Sequence, residues 1–320
     1  MTVEYTPESL VKQAAHDIGF SEVGIAGVKP GPRSDAAFDR WIERGMHGDM
    51  RYLSGGADKR HNPALLLEGA KSVICVAVNY YSRRRDRTND ERRQTLGGRI
   101  STYAHGRDYH LVLTEMLQEL DKRLKGFFTD MRSVVCVDTQ PISERDLAVQ
   151  SGIAWLGKNT CVISQEYGSW IFLGELVTTL GLRPDEPLES LCGSCTRCQD
   201  ACPTGALDEA WVLDATRCVS YFTIEKRGEI PDEFHSGIGD NLFGCDECQR
   251  VCPFNDASAR ESIVFAVDTC NPLLDMPLEA LARIGDEDFR RHTRESAIGR
   301  CKPAGMRRNA RIVMANLERP

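Results

Sequence analysis

An α/β domain followed by a small cysteine-rich domain and a helical segment is the architecture this sequence predicts, on three observations. Helix-period and strand-like runs alternate over residues 1–184. Two dense cysteine blocks fill residues 185–262, and a helical, arginine-rich stretch occupies residues 263–320. Alternation of this kind layers helices on a central sheet, with strand order left open.

The elements follow in order. Residues 7–18 have helical periodicity, with Pro7 suited to the first turn and Gly19 to the end, and residues 23–28 read as a strand. Residues 72–80, SVICVAVNY, form a continuous valine-rich run, as expected of a strand buried on both faces. Residues 109–128 are long and amphipathic, residues 132–137 read as a strand, and residues 143–151 as a helix. At 320 residues and 41% hydrophobic the chain can bury a substantial core. The start, Met1-Thr-Val-Glu-Tyr-Thr-Pro7, has neither a basic n-region nor an apolar h-region, and no run of about eighteen uncharged apolar residues suggests a membrane span. A reducing, cytoplasmic location without membrane attachment is therefore expected.

Eight of the 13 cysteines fall into Cys192-x2-Cys195-x2-Cys198-x3-Cys202-Pro203 and Cys218-x26-Cys245-x2-Cys248-x3-Cys252-Pro253. Three thiolates two residues apart can wrap one corner of a cubane, while the fourth, followed by proline, projects to the neighbouring cluster. The spacing thus predicts two [4Fe–4S] clusters. One is held by Cys192, Cys195, Cys198 and Cys252, the other by Cys202, Cys218, Cys245 and Cys248. A disulfide framework belongs to small secreted domains, and zinc does not require the x2-x2-x3-Pro run. Cys75, Cys136, Cys161, Cys270 and Cys301 are scattered singly, the first three in apolar runs where a small buried hydrophobe is expected.

Two segments are rich in arginine. Between residues 82 and 99, Arg83, Arg84, Arg85, Arg87, Arg92, Arg93 and Arg99 outnumber Asp86, Asp90 and Glu91, which reads as a solvated insertion or a nucleic-acid-facing patch. Residues 277–316 are helical in pattern and carry Arg283, Arg290, Arg291, Arg294, Arg300, Arg307, Arg308 and Arg311, which could meet phosphates. The formal charge of −7 argues against non-specific nucleic-acid binding but is compatible with docking one structured RNA.

Asp138 closes the strand at residues 132–137 and precedes Thr139-Gln-Pro141-Ile-Ser-Glu144-Arg145. A carboxylate at a strand end is either an active-site group facing a crevice or a turn residue. Glu144 and Arg145 read as an opening helical turn with structural ion pairing. Residues 152–160 nearly match a phosphate-binding loop, but Asn159 replaces the Ser or Thr that would hold Mg²⁺, and Trp155 fits such a loop poorly. Gly157 and Lys158 are better suited to a turn facing a bulky anionic group. Asp108-Tyr109-His110 resembles the start of a D-x-H-x-x-G cobalamin motif that Leu113 breaks, so His110 reads as a helix-start residue.

With the cluster blocks, Asp138 before its Pro-x-x-Glu-Arg turn, Gly157-Lys158-Asn159-Thr160, Tyr167-Gly168-Ser169-Trp170 and Gly244-Cys245-Asp246-Glu247-Cys248-Gln249, the chain resembles the epoxyqueuosine reductases from its first helix to its end. Asp58-Lys59-Arg60, the run from Tyr103 to His110, the run from Asp214 to Tyr221, and Arg307-Arg308-Asn309-Ala310 share the likeness. The resemblance implies reduction of epoxyqueuosine to queuosine at the wobble position of tRNA, the last step of queuosine synthesis, fed by an electron donor the sequence does not identify. It implies a monomer with an α/β, nitroreductase-like cobalamin and substrate domain akin to that of reductive dehalogenases, a ferredoxin-like domain behind it, and a short helical C-terminal segment. Cobalamin would be base-off, without a histidine ligand, and Asp138 would be the proton donor. Arg60, Ser101, Lys158, Asn159, Thr160, Ser220, Thr223, Asp246 and Glu247 lie in the segments implied to surround it. Ser101 stands where some members offer a cysteine, so no thiolate is expected near cobalt.

Many members also carry a C-terminal helical repeat. Here the chain stops at Pro320, so any tRNA contact of that repeat is expected to be missing or supplied by the arginines. Epoxide opening needs two electrons and protonation of the departing oxygen. Cobalt and clusters would supply the electrons, and burial beside the macrocycle would raise the Asp138 pKa from about 3.9. Two other readings share part of this pattern. A reductive dehalogenase-like reductase of a small molecule would share the electron route, but is commonly exported behind a twin-arginine leader that this N-terminus lacks. A ferredoxin-like electron carrier would need no cobalamin.

Overall fold

The computed structural model describes residues 6–29, 31–83, 90–92, 95–257, 260–265 and 271–318. Arg84, Arg85, Asp86, Arg87, Arg93 and Cys270 lie outside them. Strands β1 (Glu22–Gly27), β2 (Ser72–Asn79), β4 (Ser133–Cys136) and β7 (Ile171–Thr178) form one sheet in the order β1-β2-β7-β4. Every pairing in it is antiparallel. Two small sheets accompany it, one pairing β3 (Arg99–Ile100) with β8 (Asn241–Phe243) and the other β5 (Trp155–Leu156) with β6 (Val162–Ile163).

The continuous burial of β2 has the cause its composition suggests: both faces are covered. Ile74, Val76 and Val78 pack beneath α1 (Pro7–Ile18) and α2 (Tyr109–Phe127). Val73, Cys75 and Ala77 pack beneath α3 (Glu144–Gln150). Leu113, Leu117, Leu120 and Leu124, spaced at three and four residues on α2, are fully buried on that first face. Each contributes about 1.5–3 kcal/mol by leaving water. Helix α1 starts where Thr6 Oγ1 accepts the Ser9 N–H and stops at Gly19, whose φ of 108° ends the helix in the left-handed region. Gly24 lets α3 lie close against β1, since a Cβ there would stand 2.1 Å from the Ser151 carbonyl oxygen.

The C-terminal helix α4 (Lys302–Leu317) packs with Leu278, Leu281, Phe289 and the β3–β8 pair in a second core. This packing overturns the phosphate-facing reading of several arginines. Arg308 is buried and donates to the carbonyls of Phe222, Lys226 and Gly228. Arg307 donates to Ile284 O and pairs with Asp286, while Arg300 forks onto Glu225. Arg92 is buried on the carbonyls of Leu273 and Leu274, and Arg99 pairs with Asp240 and Glu247. A planar guanidinium with five donors suits such convergent carbonyls. Arg308→Ala would leave three carbonyls without their donor and should cost roughly 3 kcal/mol or more. A thermal melt should register a fall of roughly 6–12 °C, and an unchanged melting temperature would contradict the structural role.

Candidate active site and cluster centres

The cysteines of the two blocks sit on loops and short helical turns, Cys198 within Arg197–Asp200 and Cys248 within Glu247–Arg250. Cys192, Cys195 and Cys198 line one solvent-open cavity together with Cys252 from the second block, and Ile163 and Phe254 supply its apolar wall. The cavity opens to solvent and encloses about 340 Å³ including its mouth. Lys158 Nζ does not project as a free anion-binding group. It donates to the carbonyls of Gly193 (2.7 Å) and Cys195 (2.9 Å), closing the loop around this cavity. On the other side, the charges of Cys202, Cys218, Cys245 and Cys248 act on one another, and the Ala206 N–H points at Cys202 Sγ (3.2 Å). Burial pushes the Cys218 and Cys245 thiols up, so metal must supply the charge that keeps them ionised.

Cys161 is not the isolated small hydrophobe its sequence suggests; its thiol is in hydrogen-bond contact with Cys248. Asn159 bridges the same region, accepting from the Cys161 N–H (3.2 Å) and donating to Cys248 O (3.3 Å). Thr160, at a φ of 63°, offers its carbonyl to Arg145 Nη1 (2.8 Å).

The remaining predicted contacts gather around the second block. The Asp246 carboxylate accepts from Ser101 Oγ and from the Thr102 N–H (2.8 Å). Glu247 pairs with Arg99 at 2.6 Å. Ser220 precedes the wide turn Tyr221–Glu225, in which Thr223 Oγ1 donates to Val219 O (2.8 Å) and accepts the Gly244 N–H (2.9 Å). Gly244 is required there: its φ is 69°, and a Cβ would lie 2.5 Å from Ser101 Cβ. Gly244→Ala should therefore destabilise by about 1–3 kcal/mol and disturb the adjacent cluster, visible as a lower melting temperature and a reduced iron content.

Asp138 lies just past β4 with a φ of 54°, a strained position for a residue other than glycine. Two groups hold it. Its backbone N–H donates to Glu144 Oε1 (2.5 Å), and its carboxylate Oδ2 lies 3.1 Å from His110 Nε2. Glu144 does open α3, but its partner is this N–H rather than Arg145. Burial and the neighbouring Asp138 charge push the Glu144 carboxyl up to about 7. Glu175, buried on β7 beside Glu144, is raised well above the usual carboxylate range by the same burial. Arg60 adjoins this turn, with Nη1 on Ile142 O (3.3 Å) and a buried Nε that has no hydrogen-bond partner among the described residues.

His110 is a helix-start residue, as its sequence context suggests, and more. Its Nδ1 lies 2.6 Å from Oδ1 of Asp108, the N-cap of α2, and its ring stacks on Tyr109 at 4.1 Å. Burial alone would lower its pKa, but the hydrogen bonds to Asp108 and Asp138 raise it to about 9. The Asp108-x-His110 spacing was the available signal for the first contact. Nothing local indicates the second, which spans 28 residues. Tyr103, buried between the charges of Asp246 and Asp138, continues the aromatic run from Tyr109 toward the second block.

Two cysteine sets, one of them lining a cavity, together with a strained aspartate held by Glu144 and His110, are the marks of an iron–sulfur oxidoreductase. Comparison with known proteins narrows the class. Residues 60–139 match the family model described as "Epoxyqueuosine reductase QueG, DUF1730", and residues 191–255 match the "4Fe-4S double cluster binding domain". An epoxyqueuosine reductase of Synechocystis sp. is 43% identical over 302 residues, covering 92% of this chain and 100% of that protein. One from Gloeobacter violaceus is 40% identical, covering 95% and 94%. A crystal structure of epoxyqueuosine reductase with an epoxyqueuosine-modified tRNA-Tyr stem loop superposes with a TM-score of 0.85 at 33% identity, covering 97% of this chain and 81% of that one. A Bacillus subtilis epoxyqueuosine reductase, described with its catalytic aspartate loop swung out of the active site, gives 0.86 at 32% identity with the same coverage. The chain belongs to the epoxyqueuosine reductase family. It is an oxidoreductase that binds two [4Fe–4S] clusters. No described helix is long and apolar enough to cross a membrane.

Proposed function

We propose that this protein reduces epoxyqueuosine to queuosine in tRNA, with cobalamin as the cofactor that residues near the second cysteine block and Asp138 would hold. One arrangement carries the reading: the first turn of α3 ties the acid to the electron path. Glu144 holds the Asp138 backbone, and the next residue, Arg145, binds the carbonyl of Thr160. Cys161 follows directly and touches the cluster ligand Cys248. The buried Arg60 Nε beside Asp138, without a hydrogen-bond partner among the described residues, fits a cofactor rich in amide oxygens.

When bound, cobalamin supplies a metal centre that accepts single electrons and acts on the epoxide. The chain's own residues do the rest. Asp138 gives a proton to the departing oxygen, and Glu144 fixes the turn that aims it. Arg60, Ser101, Thr160 and Ser220 would line the cofactor, the fully buried Thr223 braces the turn behind them rather than touching it, and Asp246 and Glu247 keep Ser101 and Arg99 in place. Lys158 and Asn159 brace the cluster loops that face it. We assign residues 1–184 to a nitroreductase-like cobalamin and substrate domain, residues 185–262 to a ferredoxin-like domain, and residues 263–320 to a helical segment. A cytoplasmic monomer reduced by a separate donor protein completes the reading.

The test is anaerobic turnover. Protein reconstituted with iron, sulfide and cobalamin receives a chemical reductant and tRNA carrying epoxyqueuosine, and the nucleosides are read by mass spectrometry. Loss of one oxygen that depends on cobalamin supports the reading. No conversion at full cofactor occupancy overturns it.

A further inference from the structure

Removal of an epoxide oxygen as water, leaving an alkene, consumes two electrons and two protons. A single carboxylic acid holds one. The surroundings of Asp138 offer a place for the second, because both ring nitrogens of His110 face carboxylates: Nε2 toward Asp138 (3.1 Å) and Nδ1 toward Asp108 (2.6 Å). Only the doubly protonated imidazolium can donate to both. The ring is also fixed in place. It stacks on Tyr109, which lies 4.3 Å from Phe172 with the two rings nearly parallel, and Asp108 is itself anchored by the His110 backbone N–H (3.0 Å). With 30% of the His110 side chain exposed, water can reach it.

We propose that Asp108, His110 and Asp138 form a proton relay in which His110 is the positioning residue that refills Asp138 between two protonations of the departing oxygen. This rests on the function proposed above. With His110 cationic, Asp138 starts as a carboxylate: the Nε2–H bond of His110 breaks as its proton moves to Asp138 Oδ2, and the neutral ring keeps its Nδ1–H on Asp108. The new O–H bond of Asp138 breaks as that proton passes to the oxygen, and solvent returns a proton to Nε2. A second proton follows the same route, the oxygen leaves as water, and solvent recharges His110. Two electrons from the reductant, passed through the clusters, complete the C=C bond as the two C–O bonds break.

Other ionisable groups around this pair are Glu144 from α3, Glu175 behind it on β7, Arg60, and the phenols of Tyr52, Tyr103 and Tyr109, which burial and the Asp138 charge hold protonated. Burial favours the uncharged form of both glutamates, which leaves His110 as the cation hydrogen-bonded to Asp138. A histidine raised from 6.5 to about 9 keeps its proton at neutral pH and loses it as pH climbs through about 9. Wild-type turnover should therefore fall along an alkaline limb near that value.

The test uses the reconstituted holoenzyme with His110→Gln, which can still donate to Asp138 but holds no titratable proton, and with His110→Ala. His110→Gln should lower kcat about 10–100-fold. Its KM for tRNA, iron content and corrin absorbance should stay unchanged, and the alkaline limb should vanish. Added imidazole should restore part of the His110→Ala rate. Wild-type kcat with the same limb in His110→Gln, or no imidazole response, overturns the relay. NMR titration of His110 separates this failure from that of the proposed function. Its pKa should lie near 9 in the wild type and drop toward 6.5 in Asp108→Asn, whatever the substrate proves to be; a value near 6.5 in both overturns the relay even in an active reductase.

Discussion

Asp138→Asn should lower turnover of epoxyqueuosine-containing tRNA by about 10²–10⁴-fold, the range lost when a positioned general acid is removed. The amide keeps the size of the side chain and can still meet His110, so the turn should stay folded. The backbone anchor, Asp138 N–H to Glu144, is untouched by the substitution. Cobalamin absorbance, iron content and KM for tRNA should therefore match wild type, placing the loss in kcat. An Asn variant with full cofactor and unimpaired turnover would show that another group protonates the oxygen. Asp138→Gly would be a poorer test, because it would also relax the backbone at a φ of 54°.

Cys252→Ser should remove the cluster of the opposite block. Cys252 is buried in the cavity lined by Cys192, Cys195 and Cys198. Its loss should cut iron from about eight to about four atoms per chain and reduce turnover to background, since single electrons then lack one station of their path. The cross-over makes the pattern diagnostic. The electron paramagnetic resonance signal lost in Cys252→Ser should match that lost in Cys195→Ser. The signal lost in Cys202→Ser should match that lost in Cys245→Ser. If the losses instead grouped Cys252 with Cys245 and Cys202 with Cys195, the ligand sets would be wrong.

Much of the fold was legible because its signals are local. The helices at Pro7–Ile18 and Tyr109–Phe127 and the strands at Ser72–Asn79 and Ser133–Cys136 fall within a residue or two of their sequence patterns. Periodicity, caps and valine-rich runs act over a few residues, so composition is enough to find them. The all-antiparallel order of the sheet was not legible, because pairing depends on which distant strand completes the core.

The site divides along the same line. The cysteine blocks could be read directly, since a cubane dictates spacing within a single loop. Arginine could not: Arg92 and Arg308 look like surface charge in sequence, yet they are buried on backbone carbonyls supplied by other segments. Lys158 turned inward for the same reason, finding carbonyls 35 and 37 residues away. By itself, the sequence determined the two cysteine blocks, the main helices and strands, and Asp138 as a carboxylate at a strand end. Only the tertiary structure decided that His110 meets Asp138, that Glu144 holds its backbone, and that Cys161 stands against Cys248. Those contacts depend on how separate elements pack, and the partner of a polar side chain is whichever group that packing brings within about 3 Å.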